Sequence, residues 1–391
     1  MTQLCQLHRR IGQRLEERRQ KNLHRQVHTF QQQGAGLLDE RGQHYINFSS
    51  NDYLGLASEP ALINAWQDGL SHYGAGSTAS PLVTGFSKPH QELEAALSDW
   101  LGFERAILFS SGFSANQAVL FSLLEKNDLL IQDKLNHASL MEAGMLSDAK
   151  MKRFQHNDVE KLRLALASDK ESVARLVVTE GVFSMDGDLA PLGDIKALCN
   201  QVNAWLMVDD AHGVGVHGDE GRGSCSVAGI TPDILIVTFG KAFGMMGAAV
   251  LCSKDVHDYL TQFARHYVYS TAMPPAQAHT LRHALTTIRT QTWRREKLVD
   301  LSKAFHEELV GVSGVAETCT PIKPVVIGDV FQMQKVSASL KEMGYWTGAI
   351  RPPTVPVNTA RLRATLSVNH SEEQVRGFAS SLRALLERED V

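Results

Sequence analysis

The stretch Asp233–Gly247, Asp-Ile-Leu-Ile-Val-Thr-Phe-Gly-Lys-Ala-Phe-Gly-Met-Met-Gly, constrains this chain more than any other. Residues 234 to 238 are apolar or β-branched without a break, the pattern of a strand buried on both faces of a parallel sheet. Lys241 follows at once among small residues. Desolvation there pulls an amine's proton affinity down towards that of a nucleophile or base, as a Schiff-base lysine requires. Gly240, Gly244 and Gly247 leave room for a ligand to approach the backbone. The same residues also fit a strand ending in a snorkelling lysine, so this stretch alone leaves both readings open.

A second apolar run, Trp205-Leu-Met-Val, ends in Asp209-Asp-Ala-His212-Gly. Ligands of open α/β sheets bind outside the carboxyl ends of the strands, so Asp209, His212 and Lys241 can meet in one crevice. Pyridoxal 5'-phosphate asks for that set: a lysine to hold it as an imine, a carboxylate for its ring nitrogen, and donors for its phenolate and phosphate.

Four motifs stand in order: Asn47-Phe-Ser-Ser-Asn-Asp-Tyr-Leu-Gly55, Thr179-Glu-Gly-Val-Phe-Ser184-Met-Asp-Gly, Asp209-Asp-Ala-His212-Gly-Val-Gly and Thr238-Phe-Gly-Lys241-Ala-Phe-Gly. Together they resemble the α-oxoamine synthases, pyridoxal-phosphate enzymes of fold type I, and the resemblance runs from about residue 10 to the end. It implies an α/β fold: a mostly parallel, doubly wound central sheet with a smaller α+β C-terminal domain. The expected division is an N-terminal helix and arm over 1–50, a large cofactor-binding domain over 51–285 and a small domain over 286–391. Within the family, Val268-Tyr-Ser-Thr-Ala-Met-Pro-Pro275 and Ile350-Arg-Pro-Pro-Thr-Val-Pro356 are most similar to the biotin-pathway member that joins L-alanine to a pimeloyl thioester. Glycine C-acetyltransferase is the nearest competing member, and 5-aminolevulinate synthase lies further off.

Composition narrows the partners. A hydrophobic content of 43% suits a soluble chain with a sizeable core, and a net charge of -4 gives no polyanion signal, which argues against nucleic acid. Five scattered cysteines without a C-x-x-C pair, and no apolar run of membrane-spanning length, point to a cytoplasmic protein with no membrane partner and no metal site.

Leu4, Leu7, Ile11 and Leu15 recur at helical spacing beside a basic face, predicting an opening amphipathic helix. Gly74-Ala-Gly-Ser-Thr-Ala-Ser80 can form an anion nest or a flexible connector; the resemblance places it near the active site, with Pro81 where the family often has arginine. Ser110-Ser-Gly112-Phe113 turns from the apolar run at 106–109 into a helix, whose N-terminus suits a phosphate. Residues 361–366 alternate, with Leu362, Ala364 and Leu366 on one face and Arg361, Arg363 and Thr365 on an outward one. Ser371-Glu-Glu-Gln374 reads as a capping box before a last helix with the stripe Val375, Phe378, Leu382 and Leu385.

The resemblance also implies roles. Lys241 holds the cofactor and moves the α-proton, Asp209 meets the ring nitrogen, and His137 stacks on the ring and serves the acyl substrate. Gly112 and Phe113 hold the phosphate through their backbone, with Thr238 nearby; His212 and Ser184 are candidates for the phenolate. Thr271 reaches the phosphate of a second subunit in a homodimer. Arg363 takes the amino-acid carboxylate, while Arg25, Arg351 and Thr354 contact the acyl chain. Coenzyme A and acyl carrier protein both remain open as the thiol carrier.

Two other readings remain. Gly213-Val-Gly-Val-His-Gly218 matches G-x-G-x-x-G, a dinucleotide fingerprint, but the residues after it continue as a glycine-rich loop where that fold needs a helix. A non-catalytic pyridoxal-phosphate-binding regulator would need a DNA-binding module, and too few residues precede Asn47 for one.

Overall fold

The computed structural model describes residues 6–169 and 171–387; Leu4 and Cys5 lie outside them. In chain order the strands are β1 (Phe30–Gln33), β2 (Gly36–Asp39), β3 (His44–Phe48), β4 (Arg105–Phe109), β5 (Leu129–Asp133), β6 (Lys150–Phe154) and β7 (Arg175–Glu180). They continue with β8 (Trp205–Asp209), β9 (Ile234–Thr238), β10 (Ala248–Cys252), β11 (Ile322–Gly328), β12 (Tyr345–Ile350) and β13 (Ala360–Thr365).

One sheet has the order β4-β10-β9-β8-β7-β5-β6. Neighbours from β9 through β6 are parallel, while β10 is antiparallel to both β9 and β4. The reversal has a simple cause: residues 239–247 are too few for the crossover that a parallel neighbour needs. Both faces are covered. Leu235, Val237, Leu206 and Val208 belong to one apolar core, and Ile234, Ile236 and Met207 to another. Each fully buried aliphatic side chain contributes roughly 1.5–3 kcal/mol, so the unbroken run in β9 holds the base of the lysine loop firmly.

The second sheet, β1-β2-β3-β12-β13-β11, joins the two ends of the chain. β3 lies parallel to β12, with Ile46 opposite Tyr345. Phe48 stacks on Phe378 at 4.1 Å and on His370 at 4.3 Å, fixing β3 beneath the last helix, Glu372–Leu386. That helix carries the expected capping box from Ser371 to Gln374, and its apolar stripe is buried. From this anchored strand the chain passes directly into the Ser49–Gly55 loop.

One expectation changes. All six residues of β13 are buried, including Arg361 and Arg363, because their face closes on the 184–187 loop: Arg361 Nη1 pairs with Asp186 at 2.5 Å and Arg363 Nε donates to the Ser184 carbonyl. Residues 74–80 do not line the main cavity described below. Ser77 Oγ donates to the Ala272 carbonyl at 2.6 Å, and Ala272 N–H to Ala79 O, tying this segment to the chain beside Thr271. The helix Gln6–Gln20 forms, with Leu7, Ile11 and Leu15 of its stripe exposed among the described residues. No helix follows Gly213–Gly218 at once, only turns and a single 3-10 turn over Asp219–Gly221, so the fold gives no support to a dinucleotide site there. Among the described residues no helix is long and apolar enough to cross a membrane.

Candidate active site

The carboxyl ends of β5, β7, β8 and β9 share one edge, and beside them opens a cavity of about 300 Å³. Lys241 reaches it because its neighbours are anchored. Phe239 and Phe243 are fully buried and meet edge to face at 5.1 Å, while Gly244 N–H donates to Lys241 O and Met245 N–H to Phe239 O. The lysine side chain is left to line the cavity, where burial lowers its proton affinity; Arg363 pushes the same way, and Asp209 and Glu180 oppose it. Its Nζ lies 3.5 Å from Thr238 Oγ1.

Asp209 forms part of the floor. Its Oδ2 accepts from Asn116 Nδ2 at 2.8 Å and its Oδ1 from Ala211 N–H at 3.1 Å, so the carboxylate cannot turn away. The helix Gly112–Leu123 faces it with its N-terminus, where Ser111 Oγ accepts from Ser114 N–H. Glycine is required at 112: a Cβ there would lie 2.6 Å from Thr238 Cγ2. His137 caps the helix Ala138–Leu146, its Nδ1 2.8 Å from Ser139 Oγ, and burial lowers its proton affinity. His212 Nδ1 lies 2.7 Å from the Tyr53 hydroxyl; burial, then the Lys241 charge, holds its proton affinity far below the usual range, so the ring is neutral.

Lys241, Asp209, His137, His212, Gly112, Phe113 and Thr238 thus line one cavity. Ser184, Arg363 and Thr271 do not. Arg363 reaches its border through Asn51 Oδ1, which accepts from both Nη1 and Nη2 at 3.2 Å, and it holds Ser184 by the main chain. Thr271 is exposed, beside Tyr269 at 80% exposure. Arg25, Arg351 and Thr354 line a second cavity of about 640 Å³ together with Lys341. There Arg25 Nη2 donates to Thr354 Oγ1 at 3.4 Å, and Arg351 Nη2 to the His24 carbonyl at 2.8 Å. Gly348, which lines the second cavity, is the register partner of Arg363, whose guanidinium bonds Asn51 on the lining of the first.

Sequence reasoning did not single out Asn51, Tyr53, Asn116 or Glu180, all of which touch or line the site. The dense polar residues of 49–53 marked a contact loop without saying what it contacts.

The residues present fit pyridoxal 5'-phosphate. A helix N-terminus with two serines suits the phosphate, a buried carboxylate the ring nitrogen, a histidine a ring face and a desolvated amine the aldehyde; Asn116 Oδ1 and Glu180 Oε1 are buried without partners beside them.

Asp210 plays another part. It is fully buried, accepts from Ser224 N–H at 2.7 Å and Ser224 Oγ at 2.6 Å, and sits where a Cβ on Gly181, Gly213 or Gly223 would come within 2.1 Å of its oxygens. It therefore braces the Gly213 turn. Burial raises its pKa from 3.8 to about 7. The folded state then binds more protons than the unfolded one between these values, so Asp210's contribution to stability is complete below about 4 and is lost as pH rises through about 7. Asp210→Asn, which mimics the protonated form, should gain melting temperature relative to wild type across that window. An unchanged difference between pH 4 and 8 would contradict it.

The family model for aminotransferase class I and II matches residues 43–382. An 8-amino-7-oxononanoate synthase of Vibrio atlanticus (strain LGP32) is 60% identical over 379 residues, 97% of this chain and 93% of the relative. That of Aliivibrio fischeri (strain MJ11) is 63% identical over 344 residues, 88% and 90% of the two chains. Among solved structures, a serine palmitoyltransferase from S. paucimobilis with a bound PLP-myriocin aldimine superposes with a TM-score of 0.91 at 28% identity, covering 98% of each chain. The 8-amino-7-oxononanoate synthase of Francisella tularensis does so at 0.78 and 29% identity, covering 89% of this chain and 99% of that one. With its seven-stranded sheet and lysine-centred cavity, the chain belongs to the 8-amino-7-oxononanoate synthases, pyridoxal-phosphate-dependent α-oxoamine synthases of fold type I.

Proposed function

We propose that this protein condenses L-alanine with a pimeloyl thioester, releasing carbon dioxide and the free thiol carrier, to give 8-amino-7-oxononanoate. The observation that supports the reading is the lysine cavity together with a separate basic cavity, with Arg363, bonded to Asn51 of the first, opposite Gly348 of the second. One cavity is suited to an amino acid, the other to an acyl chain ending in a carboxylate.

Bound there, pyridoxal 5'-phosphate supplies the electron sink that lets an α-carbon lose a proton or carbon dioxide. Lys241, Asp209 and His137 would hold it by its aldehyde, ring nitrogen and ring face, and the Gly112 and Phe113 backbone with Thr238 would hold its phosphate. His212, which lines the cavity, would serve its phenolate oxygen, with Ser184 as a second candidate. The chain does the rest. Arg363 has three of its five donors engaged by Ser184 O and Asn51 Oδ1, which fixes the guanidinium and leaves two for the alanine carboxylate. The Lys241 amine, its proton affinity lowered by burial, would take the α-proton and later return it. His137 is placed to hydrogen-bond the acyl carbonyl oxygen. In the second cavity Arg25 and Arg351 would grip the distal carboxylate, with Thr354 orienting Arg25. Thr271 and Tyr269, exposed in this chain, suit a homodimer in which Thr271 serves the second subunit's phosphate site. A cytoplasmic setting agrees with the free state of Cys199, Cys225, Cys252 and Cys319.

The test is steady-state turnover with pimeloyl-coenzyme A and L-alanine against acetyl-coenzyme A and glycine. The first pair should be used at least about 100-fold more efficiently. Arg351→Ala should raise KM for pimeloyl-coenzyme A about 10- to 100-fold with little change in kcat, the mark of lost ground-state binding. Preference for glycine and acetyl-coenzyme A would move the chain to another reaction of the same family.

A further inference from the structure

His156, just past the end of β6, stands between two carboxylates. Its Nδ1 lies 3.0 Å from Asp133 Oδ1 and its Nε2 2.8 Å from Asp188 Oδ2. A neutral imidazole carries one N–H and would turn the lone pair of its other nitrogen on an oxygen, so this geometry calls for the imidazolium, which donates at both ends. Burial pulls the pKa of the ring down, yet the hydrogen bonds to Asp133 and Asp188 outweigh it and raise the value from 6.5 to about 10. The carboxylates are held in turn. Asp133 accepts from Leu135 N–H at 2.8 Å and, through Oδ2, from Asn157 N–H at 2.9 Å, while Asp188 Oδ2 accepts from Asn157 Nδ2 at 2.8 Å. Phe183, buried beside them, meets the His156 ring edge to face at 4.4 Å.

Each carboxylate leads towards a group of the site. Asp133 ends β5 and opens the turn before His137, where Asn136 N–H donates to Asp133 O at 3.2 Å. Asp188 closes a second turn, in which Phe183 N–H donates to Asp188 O at 3.0 Å and Gly187 N–H to Phe183 O at 2.8 Å. That turn is the one that receives Arg363 Nε on the Ser184 carbonyl and Arg361 on Asp186. We propose that His156 is a positioning residue for the amino-acid carboxylate: by bridging Asp133 and Asp188 it fixes the 184–188 loop and, through the Ser184 carbonyl, the direction of the Arg363 guanidinium. This rests on the role proposed above for Arg363. The loop has other holds, among them Thr320 Oγ1 donating to the Gly187 carbonyl at 2.8 Å, so loss of the bridge lets Arg363 drift without unfolding the site.

The experiment titrates the full-length protein, loaded with pyridoxal phosphate, with L-alanine and with ethylamine, following the cofactor's absorbance. Ethylamine is L-alanine without its carboxylate, so the preference for L-alanine isolates what Arg363 contributes. His156→Gln should reduce that preference about 10-fold by weakening L-alanine, with ethylamine binding unchanged. Asp188→Ala removes the other end of the bridge at a side chain 40% exposed, where the fold tolerates the change, and should act in the same direction. Equal weakening of both amines would mark a general loss of packing and overturns the proposal. So does a full preference kept by His156→Gln or, if that variant does not take up the cofactor, by Asp188→Ala. A wild type that itself shows no preference for L-alanine would remove the role of Arg363 and this inference with it, whereas a wild-type preference that survives in the variants removes His156 alone.

Discussion

Replacing Lys241 by alanine is expected to lower kcat about 10⁴-fold while leaving the fold intact. The large loss follows from the two tasks assigned to one amine: holding the cofactor covalently and moving the α-proton. The intact fold follows from the anchoring of the loop, which depends on Phe239, Phe243 and main-chain hydrogen bonds, whereas among the described residues the lysine side chain has only the long hydrogen bond to Thr238. Kinetics, absorbance with pyridoxal phosphate and thermal melting together check this. A variant that keeps more than about a tenth of wild-type kcat would remove Lys241 from the mechanism.

Asp209→Asn should cost about 10³-fold in kcat. The substitution preserves shape, yet it removes the charge assigned to the cofactor's ring nitrogen and one of the anions that raise the proton affinity of Lys241. Its amide must also face Asn116 Nδ2 or Ala211 N–H, which now donate to Asp209, so one donor loses its acceptor. Asn116→Ala, which frees the carboxylate to rotate without removing its charge, should cost less, about 10-fold. Equal losses for the two variants would mean that orientation, rather than charge, is what Asp209 provides.

Much of this was legible in the residues because the signals were local. An unbroken apolar run needs a sheet covered on both faces, and β8 and β9 are so covered. Gly112 opening a helix, and Ser371 with Gln374 capping one, are short-range patterns that the fold keeps. What escaped depends on distance along the chain. The link from Arg363 to Asn51 spans 312 residues and that from Tyr53 to His212 spans 159, and no periodicity announces either. Arg361 and Arg363 alternate as an exposed strand face would, but the partners that bury them sit on another loop. Glu180 lay inside a quoted motif as one more polar residue; its place beside Asp209 came from the strand register. Thr271 is the reverse case, a role assigned by resemblance that a single chain leaves exposed.

The measurement that bears most directly on the proposed reaction uses L-alanine labelled with carbon-13 in its carboxyl group, together with pimeloyl-coenzyme A and pyridoxal phosphate. Mass spectrometry should find labelled carbon dioxide and unlabelled 8-amino-7-oxononanoate, formed in equal amounts and matched by free thiol. Label retained in an acylated amino acid, or thiol released without carbon dioxide, would contradict decarboxylative condensation as the activity of this protein.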